Sequence, residues 1–436
     1  MFISRNAVIV SLAAILAALL TLNIGVLLAA HCVLAAACLI DILAAPSPKS
    51  LNFVRTGTKS LKLGETVEQQ ITLENTANRK VRGWFRDCWP PSAGISSDIF
   101  DFSLAAGERK GFAEQFTPHR RGTRHSDFIA IRTIGPLRLA GRQRSFSTDW
   151  DLQILPAFSS RKHLPSRIKR LREMEGHSLL LVRGQGTEFD SLREYVAGDD
   201  VRAIDWRSSA RLGQTLVRTW RPQRDRRIVV LLDSGRAGAM RIGSFPAFDD
   251  YIETTLLLAA LAQRAGDSLD AYVIDSSVRA RIRAGADRLA IHTIANTLAD
   301  IAPILTFTDW QLALNEINRN SKQAALVVIL TAANLSSISD GLLRIIPQLA
   351  KNHRVLVAAP QNPQLVNFPD SDSDSDSDQE EHDVYFAAAK ARSELERNAV
   401  NQQLAMLGST VVAASPEDLP VRVADTYLAL KAQGQL

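Results

Sequence analysis

The sequence predicts three parts in series: a membrane hairpin of two helices, a small antiparallel β-domain of sandwich type, and a doubly wound α/β domain. Three observations carry that reading. Ala7 to Leu43 is an apolar run with no Lys, Arg or Glu and a single acid, Asp41. Residues 51–155 hold short alternating stretches separated by turn residues, the pattern of half-buried strands. From Arg227 onward, continuous apolar runs alternate with helical periods, as in a parallel sheet covered on both faces. At 436 residues the chain is too long for one ordinary core.

The apolar run is nearly twice the ~20 residues that one helix needs to cross a hydrocarbon core. Thr21-Leu22-Asn23 is the natural turn, so the run reads as helices over about 6–22 and 24–43, within a segment 1–48. Arg5 precedes it, and Lys49, Arg55, Lys59 and Lys62 follow. Cations on both flanks place both ends on the cytoplasmic side. They also argue against a cleaved signal peptide, as does the length of the run. A lipoprotein reading at Cys38 is weaker, since that cysteine lies deep in the second apolar stretch. His31, in mid-helix, reads as a neutral, hydrogen-bonded interior residue. Cys32, Cys38 and Cys88 are too few and too scattered for a disulfide framework or a metal cluster.

In the β-domain, 49–156, Val67, Gln69, Ile71 and Leu73 alternate with Glu68, Gln70, Thr72 and Glu74, and Asn75-Thr76-Ala77-Asn78 reads as a turn. Further strands are expected at 81–86, 99–104, 111–116, 127–133 and 149–155. A segment over 157–226 follows, opening with Arg161, Lys162, His163, Arg167, Lys169, Arg170 and Arg172. Such a run forms a solvated helix face or meets anionic lipid headgroups. Nucleic acid is a poorer fit, because no aromatic residues interleave the cations.

In the final domain, 227–436, strands are expected at 228–233, 268–275, 278–283, 325–331, 354–359 and 410–414. Helices are expected at about 247–265, 287–300, 309–319, 340–351, 384–406 and 418–432. The run 370–383 holds eight carboxylates and no Lys or Arg. It reads as a disordered, solvated insertion. Removing those eight charges raises the net charge of +5 to +13, so the basicity belongs to the folded body.

The densest pattern runs from Gly184 to Arg211. Glu188, Arg193, Glu194, Asp199, Asp200, Arg202, Asp205, Arg207 and Arg211 crowd into it, with Tyr195 and Trp206 among them. Bidentate guanidinium–carboxylate pairs that brace a loop-rich segment are one account. A hydrolase or transferase site built on Asp199, Asp200 and Asp205 is the other. The segment contains no His and no nucleophile beside a base, and the chain contains no Gly-x-x-x-x-Gly-Lys-Ser/Thr phosphate loop.

The stretch Glu188-Phe189-x-x-Leu192-Arg193-Glu194-Tyr195-x-x-Gly198-Asp199-Asp200-x-Arg202-x-Ile204-Asp205-Trp206-x-x-Ser209-Ala210-Arg211, then Leu216-Val217-Arg218, resembles the signature of domain-of-unknown-function family fifty-eight. Arg120-Arg121-Gly122 and Gly135-Pro136-Leu137 also resemble the family's β-domain, while Gln223 stands close to where members usually carry a Glu. The resemblance implies an N-terminal membrane hairpin, a small β-domain and a von Willebrand factor A-like domain. It implies a non-catalytic adaptor in a bacterial inner membrane, multi-pass, with its soluble domains in the cytoplasm. The implied partners are a MoxR-type AAA+ ATPase and other A-domain membrane proteins in a chaperone-like complex. No cofactor is implied.

A-domains hold Mg²⁺ in an Asp-x-Ser-x-Ser loop after the first strand, with a Thr and an Asp from later loops. The matching positions here are Asp233, Gly235, Ala237 and, after the later strand, Ala332. Both serines and the second acid are missing, so no metal is expected there. Asp233 is expected to pair with an arginine or to cap the segment that follows, and Arg236 would add a cation nearby.

Overall fold

The computed structural model describes residues 1–181, 188–196, 199–221, 226–284, 290–320, 325–332, 341–361 and 377–436. After a two-residue strand, β1 (Phe2–Ile3), the apolar run forms α1 (Arg5–Thr21) and α2 (Ile24–Ala44). The break falls at the expected turn: Leu22 adopts a left-handed conformation and the Asn23 side chain caps α2 through Gly25 N–H at 2.8 Å. His31 Nδ1 lies 2.9 Å from the Leu27 carbonyl, which assigns the proton to that nitrogen. Nε2 lies 3.0 Å from Ser11 Oγ of α1, so the ring joins the two helices. Of the two, α2 alone is long and apolar enough to cross a membrane.

Two compact units follow from the chain's contacts, Met1–Ala157 and Phe158–Leu436. In the first, β2 (Leu51–Thr56), β4 (Val67–Asn75) and β7 (Arg109–Phe116) form a three-stranded antiparallel sheet. A second sheet runs β1, β9 (Ala140–Leu155), β8 (Gly122–Ile134), β5 (Val81–Cys88) and β6 (Ile99–Leu104), with β3 (Ser60–Lys62) parallel to β9. Leu51, Ile71 and Leu73 of one sheet share a core with Phe85, Ile129 and Ile131 of the other. β4 keeps the expected alternation, and Asn75 closes its turn by donating to Ala105 O at 2.7 Å and Arg79 O at 2.9 Å.

The end of α2 is bound to this unit through Asp41, a carboxylate with 0% exposure. It accepts the backbone N–H groups of Leu137, Leu139 and Ala140, each at 2.8 Å. Gly135 leaves the space, because a Cβ there would overlap the carboxylate. Arg142 adds bonds to the carbonyls of Ile42 and Leu43 at 3.0 and 3.2 Å, covering acceptors that a helix end leaves open. The Gly135-Pro136-Leu137 motif is thus a seat for the last acid of the apolar run.

The second unit takes in the segment that the sequence set apart as 157–226. It opens with α3 (Leu164–Leu181), whose Leu171 is buried in the core beside α6. The hairpin of β10 (Glu188–Glu194) with β11 (Leu216–Arg221) brackets a short α4 (Trp206–Leu212). β12 (Arg227–Asp233) then occupies the middle of a six-stranded sheet. After α5 (Arg236–Ala239) and a small hairpin of β13 (Arg241–Ile242) with β14 (Phe245–Pro246), α6 (Ala247–Arg264) leads to β15 (Ser268–Ile274). The edge strand β16 (Val278–Ala284) is antiparallel to β15, as the strand pair predicts. α7 (Ala290–Ala299) and α8 (Trp310–Asn320) precede β17 (Ala325–Leu330), β18 (Arg354–Pro360) and β19 (Ser409–Ala414), all parallel to β12.

Ile228, Val230 and Leu232 pack beneath α6, while Val229 and Leu231 pack against α8. Burial on both faces explains why β12 reads as a continuous apolar run. The helix expected over 384–406 spans Ser377–Met406 and takes in the end of the acidic run; residues 370–376 lie outside the described ones. The last helix, Leu419–Ala432, is tied to the α6–β15 turn, where Asp267 accepts from Tyr427 Oη at 2.5 Å and Lys431 Nζ at 2.8 Å.

A second departure concerns Arg55, which the sequence offered as a flanking cation. Its side chain is 4% exposed, paired with Asp87 and stacked over Trp89 and Trp150 at 5.2 and 5.8 Å. Glu114, 1% exposed, shares this cluster, and burial first, then Asp87, pushes its carboxyl up to about 9. Its folded-state value therefore lies above the usual ~4.3 of an unfolded chain. The protonated form contributes stability that is complete below that lower value and is lost as pH rises through about 9. The denaturation midpoint of the wild type should fall between pH 5 and 9 relative to that of Glu114→Gln. A difference that stays constant or reverses over this range would refute the assignment.

Candidate functional site

The signature segment folds around backbone caps and two ion pairs. Tyr195 N–H bonds Thr215 O at 2.8 Å and closes the open end of the β10–β11 hairpin. Arg193 then reaches Asp199 with two bonds of 2.7 and 2.5 Å, and Asp199 also accepts Val196 N–H at 3.0 Å. The carboxylate beside Arg193 pushes the guanidinium's pKa up. Asp200 caps the following single turn through Arg202 N–H at 2.9 Å. Asp205 caps α4 through Ser208 N–H at 3.0 Å and accepts Arg218 Nε and Nη2 at 2.9 and 2.8 Å. The Ser208 bond and the Arg218 guanidinium together hold its carboxyl below the usual carboxylate range. Ser209 completes the brace, donating to Asp205 O at 2.7 Å while accepting Leu216 N–H at 2.8 Å.

The predicted network is thus divided. Arg193–Asp199 and Asp205–Arg218 are joined, whereas Glu194, Arg202, Arg207 and Arg211 are exposed. Glu188 stands opposite Arg221 in the ladder, and its side chain lies outside the described ones, as do Gly184, Gly186 and Gln223. Trp206 is 67% exposed, and in the same segment Leu212 is 67% and Val201 57% exposed. An apolar group placed at the first position of a short helix is the signal that could have flagged this face.

The second candidate lies where the sheet order reverses, between the C-terminal ends of β12 and β17, the usual ligand crevice of doubly wound sheets. Asp233 Oδ1 accepts Thr308 Oγ1 at 2.5 Å and Gly235 N–H at 2.9 Å; Oδ2 accepts Thr331 Oγ1 at 2.6 Å. Asp233 thus holds the turn after β12 through Gly235 N–H, while the N-cap of α5 is Gly235 itself and has no side-chain cap bond. Ser234 is turned away to Asp275, at 3.1 Å, and Asp275 also binds Ser277 and Arg279. Arg236 lies over the Phe307 ring at 5.1 Å. Thr308, a chain distance of 75 residues from Asp233, was not legible in the local pattern.

This donor set does not fit a divalent cation. An octahedral ion needs several oxygens, but Gly235 and Ala237 offer no side-chain oxygen and Ala332 is a buried methyl. Adding a side chain at Gly235 would collide with Thr308 Oγ1 and Thr306 O. Hydroxyl donors occupy both oxygens of Asp233 instead.

The basic run after residue 160 is partly consumed. Arg167 binds Asp425 of the last helix at 3.2 and 2.9 Å, and Arg170 lies 3.9 Å from the same carboxylate. Arg161, Lys162 and Arg172 are exposed.

Thr308→Val removes a buried hydroxyl donor and leaves Asp233 Oδ1 with one partner fewer, a loss of about 1–3 kcal/mol in unfolding free energy. Millimolar Mg²⁺ should leave the melting temperature of the wild type unchanged. A metal-dependent rise in that temperature would show that the crevice rearranges into a cation site.

Residues 191–405 match the family model described as "Protein of unknown function DUF58". The uncharacterized protein Rv1480 of Mycobacterium tuberculosis is 26% identical over 204 residues, 45% of this chain and 62% of the relative. The uncharacterized protein YeaD of Bacillus subtilis is 26% identical over 151 residues, 34% of this chain and 36% of that one. The chain therefore spans less than two thirds of the length of these curated relatives. Among solved structures, the VWA domain of SpRpn10 aligns with 46% of this chain and 94% of its own, at 8% identity and a TM-score of 0.29. The CARDB domain of PF1109 from Pyrococcus furiosus aligns with 24% of this chain, at 15% identity and a TM-score of 0.17. The signature network and the matched region together identify the chain, over residues 191–405, as a member of the DUF58 family.

Proposed function

We propose that this protein is a membrane-anchored, cytoplasm-facing, non-catalytic adaptor that works with a MoxR-type AAA+ ATPase in assembling or activating other proteins. In this reading α1 and α2 form a transmembrane hairpin, the two-sheet unit is a β-sandwich, and the doubly wound unit is a von Willebrand factor A-like domain with a degenerate metal crevice. The exposure of Leu16, Leu20, Ile24, Leu28 and Leu43 along α1 and α2 supports the anchor, since such side chains need lipid or protein around them. Arg5 and Lys49 at its ends support the cytoplasmic orientation.

The observation that carries the adaptor role is the outward face of the signature segment. Trp206, Leu212 and Val201 are exposed in the same short segment as the exposed Arg202, Arg207 and Arg211, on a frame locked by internal ion pairs. Tryptophan with arginine on a rigid support is the composition of a protein-binding hot spot. The choice of an AAA+ ATPase rests on the family resemblance. The alternative, acid–base chemistry by Asp199, Asp200 and Asp205, gains less support, because each carboxylate has a structural partner.

Detergent-solubilised full-length protein, captured from its native membrane with and without ATP, should co-purify an AAA+ ATPase identified by mass spectrometry. Trp206→Ala should weaken that association by roughly 30-fold, a hot-spot loss of about 2 kcal/mol, with the melting temperature unchanged. Asp205→Ala should instead lower the melting temperature, because it removes both a helix cap and an ion pair. Absence of any AAA+ ATPase from the wild-type capture would overturn the partnership.

A further inference from the structure

A cleft of ≈730 Å³ opens in the first unit beside the end of α2. Four cationic side chains line it: Arg79 and Lys80 from the β4–β5 turn, Arg82 from β5, and Arg138 from the β8–β9 turn. One carboxylate, Asp101, also lines it. All four cations are exposed, and among the described residues none has an ion pair. The floor is apolar and includes Ala44, Pro46, Phe102 and Ile134.

The position of this cleft is set by the Asp41 clamp. Ala44 is the last residue of α2, and Pro46 is fixed two residues later by Thr133 Oγ1, which donates to its carbonyl at 2.6 Å. Around the same helix end lie apolar and aromatic groups with no interior role. Met1, Ile3 and Leu137 are 86%, 68% and 51% exposed. Phe2 stacks edge-on against Trp84 at 5.0 Å, and Arg132 lies over both rings. Aromatic residues with arginines at a helix end are the composition of a bilayer interface. Arg138 also adopts φ +59°, a left-handed conformation that a glycine would take at lower cost. Its carbonyl is held there by Ser4 Oγ at 2.6 Å.

We infer that this cleft seats the phosphodiester headgroup of an anionic phospholipid of the phosphatidylglycerol type. The cations meet the phosphate, and the apolar floor meets the glycerol and the first methylenes. A free phosphate would have no use for that floor. The inference rests on the reading of α2 as a membrane helix, because only then does the cleft lie at headgroup level. It assigns lipid recognition to the β-unit rather than to the basic run at Arg161–Arg172.

Full-length protein is reconstituted with vesicles of pure phosphatidylcholine or of phosphatidylcholine with phosphatidylglycerol, and flotation is scored first. In parallel, thermal unfolding is followed in a neutral detergent while each lipid, or inorganic phosphate, is titrated at physiological salt. The protein should float with both vesicles, and phosphatidylglycerol alone should raise the melting temperature. The triple variant Arg79→Gln/Lys80→Gln/Arg82→Gln should weaken that response roughly tenfold or more. Arg138→Gly should weaken it too, while relieving the backbone and so preserving the fold. Arg161→Gln/Lys162→Gln should respond as the wild type does. Failure to float with either vesicle overturns the membrane reading, and the headgroup site with it. Flotation with an equal response to both lipids, or a response that survives in the variants, overturns the headgroup site alone. A response to inorganic phosphate equal to that of phosphatidylglycerol overturns the lipid assignment.

Discussion

The arrangement of the N-terminal unit depends on one buried carboxylate. A charge with no access to water is tolerated only where hydrogen bonds replace its hydration, and Asp41 has three backbone donors from a single turn. Those bonds hold the β8–β9 turn against the end of an apolar helix, with Arg142 covering the helix's last carbonyls. The consequence is mechanical: the direction in which α2 leaves the sheet is fixed rather than left to a flexible tether. Everything located near that helix end, including the cationic cleft, inherits the same fixed position.

The signature segment uses its charges in a different way. Arg193–Asp199 and Asp205–Arg218 are partly exposed pairs, and such pairs contribute little to stability one at a time. Their value here is geometric. Each carboxylate also takes a backbone N–H, so side chain, cap and strand are fixed by the same atoms. A short helix too small to be stable alone is thereby held with Trp206 facing outward. Arg202, Arg207 and Arg211 of the same segment are exposed as well.

The crevice at the end of β12 is held shut by hydrogen bonds among its own residues. Asp233 stands at the strand end, where the hydroxyls of Thr308 and Thr331 bond its two oxygens, and Gly235 is packed too tightly for any side chain. The acid fastens three loops together.

Periodicity alone located most of the strands and helices, because alternation and apolar runs are local consequences of burial. The Ile228–Asp233 strand, the α6 helix and the antiparallel pair Ser268–Asp275 with Val278–Arg283 were all legible for that reason. So was the inability of Gly235, Ala237 and Ala332 to bind a cation, since it follows from residue type. The sequence could not show which charges meet. Arg55 read as a surface cation and is buried between two indoles; Arg167 read as a free basic residue and is bound to Asp425. Asp41 read as an incidental acid at the end of an apolar run, and its donors lie nearly a hundred residues away. Residue types and their local spacing were determined by the sequence alone. Partnerships between distant charges were decided only by the tertiary structure, because desolvation and hydrogen-bond geometry act on groups brought together by folding and leave no trace in a local window.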